Sequence, residues 1–85
     1  MRIKPTVLIE FFGIQRAIAQ TEAVQMPVSA GTSAGDALIF AKTRYPGLPL
    51  EKGKILITVN QEVVGPEHIL KSNDTVCFIP GIGGG

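Results

Sequence analysis

The sequence predicts an α+β fold, with a mixed sheet of four to five strands packed on one main helix. Three observations carry that expectation. Short runs of β-branched and aromatic residues recur along the 85 residues, and one capped helical pattern sits among them. The last run also comes late enough to insert beside the first. This length supports one domain with one modest core. Hydrophobic residues make up 45% of the chain, enough apolar surface to offset the entropy lost on ordering.

Thr6 to Phe12 (TVLIEFF) is the first strand, bounded by Pro5 and Gly13. Val7, Ile9 and Phe11 alternate with Leu8 and Phe12, so both faces are mostly apolar and the strand belongs at the centre of the sheet. Ile14 to Ala19 reads as a helical turn or a broken loop. Glu22 to Val28 alternates, with Val24, Met26 and Val28 on one face, and Pro27 marks an edge strand or a strand end.

The helix starts at Ser33, whose hydroxyl can accept from a free backbone N–H. Asp36, three residues on, favours the N-terminal dipole. Ala34, Leu38, Ala41 and Tyr45 follow at helical spacing as the expected buried stripe. Pro46 and Gly47 stop the helix, and Leu48 to Gly53 is a connecting loop. Lys54 to Val59 is the third strand. Asn60-Gln61 turns it into Glu62 to Val64, with Gln61 a poorer turn residue than glycine. Leu70 to Asp74 is a polar turn, Thr75 to Ile79 is the last strand, and Pro80 ends it. Residues 1–80 therefore read as the domain and 81–85 as a glycine-rich tail.

Composition excludes several function classes. Eight basic and seven acidic residues nearly cancel and are scattered, so nucleic-acid binding has no electrostatic footprint. The single cysteine, Cys77, allows no internal disulfide and suits a reducing compartment. No apolar run reaches spanning length and no signal-peptide pattern opens the chain, so the expectation is a soluble, cytoplasmic protein without membrane contact. His68 is the only histidine and reads as a surface loop residue. Cys77 reads as a small strand hydrophobe, and one cysteine with one histidine makes a poor metal set. No acid–base pair or nucleophile–base constellation can be assembled.

Four of the last five residues, Gly81-Ile82-Gly83-Gly84-Gly85, are glycine. Glycine-rich ends are ordinarily flexible and inert. This one follows an apolar strand with no charged or serine-rich spacer, and it places an unhindered carboxylate at its tip. Extended from Pro80, the tail would reach about 20 Å. Lacking Cβ atoms at its end, it could enter a narrow channel. Adenylation by ATP would turn its carboxylate into a mixed anhydride open to attack by sulfur or amine nucleophiles.

The segment VNQEVVGPEHILKSNDTVCFIPGIGGG, Val59 to Gly85, resembles the C-terminal third of the MoaD/ThiS family of ubiquitin-like sulfur carriers. There a strand ending in Asn turns into a short partner, and a leucine and an Asn-Asp turn lead into V-x-F-x-P and a terminal Gly-Gly. Phe11-Phe12-Gly13, Gly31 to Asp36, and Arg44-Tyr45-Pro46-Gly47-Leu48 are similar to the molybdopterin synthase type within that family. The likeness spans nearly the whole chain, and the order of the motifs carries it.

The resemblance implies a β-grasp fold and a thiocarboxylate on Gly85, with Gly84 as its working partner. It further implies an E1-like adenylating enzyme that uses ATP, and a large subunit of molybdopterin synthase or another sulfur-accepting enzyme. No bound cofactor and no stand-alone activity are expected of the carrier itself. Gly81-Ile82-Gly83 departs from the second proline usual in the molybdopterin type. Thiamine or cysteine synthesis, and conjugation to proteins through Gly85, are the alternatives. Thr75, Cys77 and Ile79 share one strand face, opposite Val76 and Phe78. One set should face the helix; the other, with Leu8 or Phe11, either forms an exposed apolar patch for a partner or is partly covered within the domain.

Overall fold

The expected strands and helix all form in the computed structural model, which describes residues 4–51 and 53–80. In chain order they are β1 (Thr6–Glu10), α1 (Ile14–Ala19), β2 (Ala23–Pro27), α2 (Ala34–Arg44), β3 (Ile55–Val59), β4 (Glu62–Val64) and β5 (Thr75–Pro80). The five strands make one mixed sheet in the order β2-β1-β5-β3-β4. β1 runs antiparallel to β2 and parallel to β5, whose other neighbour, β3, is antiparallel. The parallel pair requires a long crossover, which α2 and the β3–β4 hairpin supply.

Alternation in β1 sends Val7 and Ile9 into the core, and Phe11 just beyond it is also fully buried. Met26, Ile57, Val59, Val76 and Phe78 complete the same side of the sheet. α2 covers them through Ala34, Ala37 and Ala41, all without solvent contact. This shifts the expected stripe, because Leu38 and Tyr45 are only partly buried and flank it. Small side chains occupy the line of nearest approach, and larger ones fit at its edges. Tyr45 still packs edge-on against Phe11, with ring centroids 5.4 Å apart at 86°.

The helix start is built as its residues dictate. Ser33 Oγ accepts from the Asp36 N–H at 3.2 Å, and the Ser33 N–H donates to Asp36 Oδ2 at 2.9 Å, a complete capping box. The next free amides are satisfied from a distant segment: the Ala34 N–H donates to the His68 carbonyl and the Gly35 N–H to the Pro66 carbonyl, each at 2.8 Å. A Cβ on Gly35 would lie 3.2 Å from that Pro66 oxygen, so glycine admits the close approach. His68 itself is exposed and contributes its backbone here.

Two loops do more than connect. Leu48 and Leu50, expected in a plain connection, are buried and close the core below α2. Asn60 and Gln61 both take left-handed φ, 52° and 73°, in a two-residue turn that pairs Val59 with Glu62. Asn60 Nδ2 donates to Asp74 Oδ1 and Asn60 Oδ1 accepts from the Thr75 N–H, both at 2.9 Å, tying the end of β3 to the start of β5. No helix among the described residues is long and apolar enough to cross a membrane.

Candidate functional site

β5 is the middle strand of the sheet, and its described residues run to Pro80. Its last residues stay paired to β3, with Ile55 opposite Pro80, whereas the ladder to β1 stops at Glu10–Cys77. The place that β1 vacates is taken by α1. Gly13, at φ 53°, turns the chain out of β1 into that helix, a left-handed conformation glycine adopts without strain. A shallow groove of about 400 Å³ results, lined by Phe12, Gly13, Ile14, Gln15, Phe78, Ile79 and Pro80. Its walls are almost wholly apolar, and three large side chains rim it in the open: Phe12 at 50% exposure, Ile14 at 63% and Ile79 at 39%.

The groove continues onto the sheet face away from α2. Leu8, Thr75 and Cys77 are half-buried there, and Leu56 and Val63 are exposed. Val76 and Phe78 take the helix side, so Thr75, Cys77 and Ile79 are the outward set. Of the two candidates in the first strand, Leu8 joins them. Phe11 does not: it is fully buried against Tyr45, and its neighbour Phe12 stands on the rim instead. Contiguous exposed apolar patches of this kind mark surfaces that bind proteins, membranes or ligands.

Acid–base chemistry has little to work with. Cys77 Sγ lies 3.8 Å from Glu10 Oε1, in a cleft shared with Phe12, Asn60, Gln61 and Thr75. Burial pushes the thiol above its ordinary range and the Glu10 carboxylate adds to that, against a hydrogen bond with Thr58 that favours the thiolate. A thiol held protonated is a weak nucleophile. Among the described residues, no group of three His, Cys, Asp or Glu side chains could hold a metal ion. The expected working residues, Gly84 and Gly85, lie outside the described residues. The structure describes β5 up to Pro80, the residue before the glycine-rich segment.

The sequence profile of the ThiS family matches residues 9–85, nearly the whole chain. The chain is also 34% identical, over 82 residues, to the molybdopterin synthase sulfur carrier subunit of Escherichia coli, covering 93% of this chain and 99% of that one. It belongs to the MoaD/ThiS family of ubiquitin-like sulfur carriers. Solved structures agree on the β-grasp fold. A putative molybdopterin converting factor subunit 1 from Pyrococcus furiosus superposes with a TM-score of 0.79 at 21% identity, covering 92% of this chain and 99% of that one. The small archaeal modifier protein 1 of Haloferax volcanii does so at 0.76 and 19%, again covering 92% and 99%.

In this MoaD/ThiS chain two of the motifs quoted from the sequence fall at the joints that build the groove. Phe11-Phe12-Gly13 is the corner from β1 to α1, and V-x-F-x-P is β5 itself. One residue of the site escaped sequence reasoning. Gln15, in a six-residue helix, is only 3% exposed, and its carboxamide Nε2 donates to the Phe78 carbonyl at 2.8 Å. No periodicity marks a lone glutamine in so short a segment as buried. The only available signal was its position two residues past the Phe-Gly corner.

Proposed function

We propose that this chain carries sulfur on the carboxyl group of Gly85 and donates it in molybdopterin biosynthesis. The supporting observation is the union of family and geometry: a MoaD/ThiS chain whose glycine tail continues from a central strand at an exposed apolar groove. In this reading an E1-like enzyme docks on the open sheet face. The Gly85 carboxylate attacks the α-phosphorus of ATP and pyrophosphate leaves. Hydrosulfide then attacks the carbonyl carbon of the acyl adenylate, AMP departs and a proton is lost, leaving a thiocarboxylate. Gly84 keeps the approach to that carbonyl free of a side chain. The carrier then inserts its tail into the large subunit of molybdopterin synthase, where the sulfur passes to the substrate. Molybdopterin is favoured over the other pathways because the E. coli relative bears the name of the molybdopterin synthase sulfur carrier subunit.

Intact-mass analysis tests this. Incubated with the activating enzyme of its own host, ATP and a sulfur donor, the protein should exchange one carboxyl oxygen for sulfur at Gly85. Persistence of the free carboxylate alone would refute the reading. Isopeptide-linked remnants of the tail on lysines of other proteins would replace it with protein conjugation. Deleting Gly84 and Gly85 should abolish sulfur transfer and leave the thermal midpoint nearly unchanged, since a chain end of this composition buries little.

A further inference from the structure

The ladder between β1 and β5 ends three residues short of the end of β5, so Phe78 to Pro80 have no partner on β1. Glu10–Cys77 is its final pair, while β3 keeps company with β5 as far as Pro80. At the gap sits the Gln15 side chain. Its Nε2 donates to the Phe78 carbonyl at 2.8 Å, and its Oε1 accepts from the Phe12 N–H at 3.4 Å. Continued in register, the parallel ladder would have paired Phe11 and Phe12 with Phe78 and Ile79. The carboxamide thus stands in for a missing peptide group, one donor and one acceptor bridging the two strands. Its orientation is fixed, because the Phe12 N–H can only donate and the Phe78 carbonyl can only accept.

Apolar packing alone does not call for glutamine here. The groove around it is walled by Phe12, Ile14, Phe78, Ile79 and Pro80, where leucine or methionine would pack as well. A buried amide in such a place is tolerated only when bonded, and its bonds are then stronger for the lack of water. Gln15 and Ala19 are the two buried residues of α1, so the other end of that helix is held by packing and this end by a directional bond.

We propose that Gln15 is a positioning residue for the reactive tail, clamping the end of β5 so that Phe78 to Pro80, the root of the glycine segment, are held in one place. This rests on the sulfur-carrier reading for its use, though not for its geometry. Loosening Phe78 to Pro80 would multiply the directions open to whatever follows them. Insertion into a narrow channel follows docking of the sheet face, so a loosened root slows the step after docking and leaves docking itself alone.

The test uses the full chain carrying Gln15→Met, which keeps the shape and removes both bonds. Ala19→Gly serves as the comparison, weakening α1 at its other anchor. Backbone 15N relaxation should show the Ile79 order parameter falling from about 0.85 toward 0.6 in Gln15→Met, with Val76 and Cys77 unchanged. In ATP–pyrophosphate exchange with the activating enzyme, Gln15→Met should lower kcat about five- to tenfold at unchanged KM, the size expected of one buried hydrogen bond. Ala19→Gly should lower the thermal midpoint and leave kcat intact. An Ile79 amide as rigid as in the unsubstituted protein overturns the clamp, as does an equal loss of kcat in both variants. If the unsubstituted chain is not adenylated, the carrier reading fails, and the relaxation measurement still decides the clamp.

Discussion

Phe11 and Phe12 are neighbours in the chain with opposite fates. Phe11 is wholly buried, edge-on to Tyr45, while half of Phe12 faces solvent on the rim of the groove. Truncating a buried phenylalanine to alanine removes its transfer free energy and leaves a cavity, about 3–5 kcal/mol. The aromatic pair with Tyr45 places Phe11→Ala toward the upper part of that range. A chain of 85 residues has a total stability of roughly 4–13 kcal/mol, so the variant stands near the edge of folding. Phe12→Ala exposes little that was hidden and should cost under about 1 kcal/mol. Urea titration followed by circular dichroism separates them. At a slope of about 2 kcal/mol per molar, Phe11→Ala should lower the midpoint by at least roughly 1.5 M, and Phe12→Ala by under about 0.5 M. Binding to the activating enzyme should invert the order, with folded Phe12→Ala binding more weakly than the unsubstituted protein. Equal destabilisation by the two substitutions would refute the assignment of faces at this corner. Undiminished binding by Phe12→Ala would remove the rim from the docking surface.

Gln61→Gly should stabilise the protein by about 0.5–1 kcal/mol, because φ 73° strains a side-chain-bearing residue and Asn-Gly is the favoured pair in this turn. A rise of a few degrees in the thermal midpoint would confirm it, and a fall would place the strain elsewhere. Alkylation of Cys77 by iodoacetamide should rise at a higher pH than that of a free thiol, since burial first and the Glu10 carboxylate next disfavour the thiolate. A folded-state thiol raised above its unfolded value contributes stability that is full below the unfolded value and lost as the pH climbs through the folded one. Faster alkylation than free cysteine at neutral pH would reverse the sign.

Much of this architecture was legible in the sequence because its signals are local. Two apolar faces put Thr6 to Phe12 in the interior of a sheet, and Pro27 marks an edge strand or a strand end; β1 is paired on both sides, and β2 is an edge strand that ends at Pro27. Ser33 and Asp36 announce a helix start that forms as a capping box. The less legible parts depend on distance in the chain. Leu48 and Leu50 carry no periodicity, and only the space left below α2 makes them core. Ala37 displaces Leu38 from the centre of the buried stripe because the helix lies close to the sheet, a spacing no helical wheel contains. The tail was conspicuous as a string of glycines, whereas the groove at its root is assembled from α1 and β5, elements 63 residues apart at the Gln15–Phe78 bond. Sequence composition advertises the glycine segment and is silent about its mounting.

The mounting has a mechanical consequence. Were the C-terminal segment pulled from outside, the load would enter β5 along its axis, and β5 is flanked by β1 as far as Cys77 and by β3 as far as Pro80. Tension along a strand held on both sides shears its cross-strand hydrogen bonds together, whereas tension on an edge hairpin would open them one after another. Such a load would meet both ladders together from Cys77 inward, so this part of the sheet would resist it as a unit.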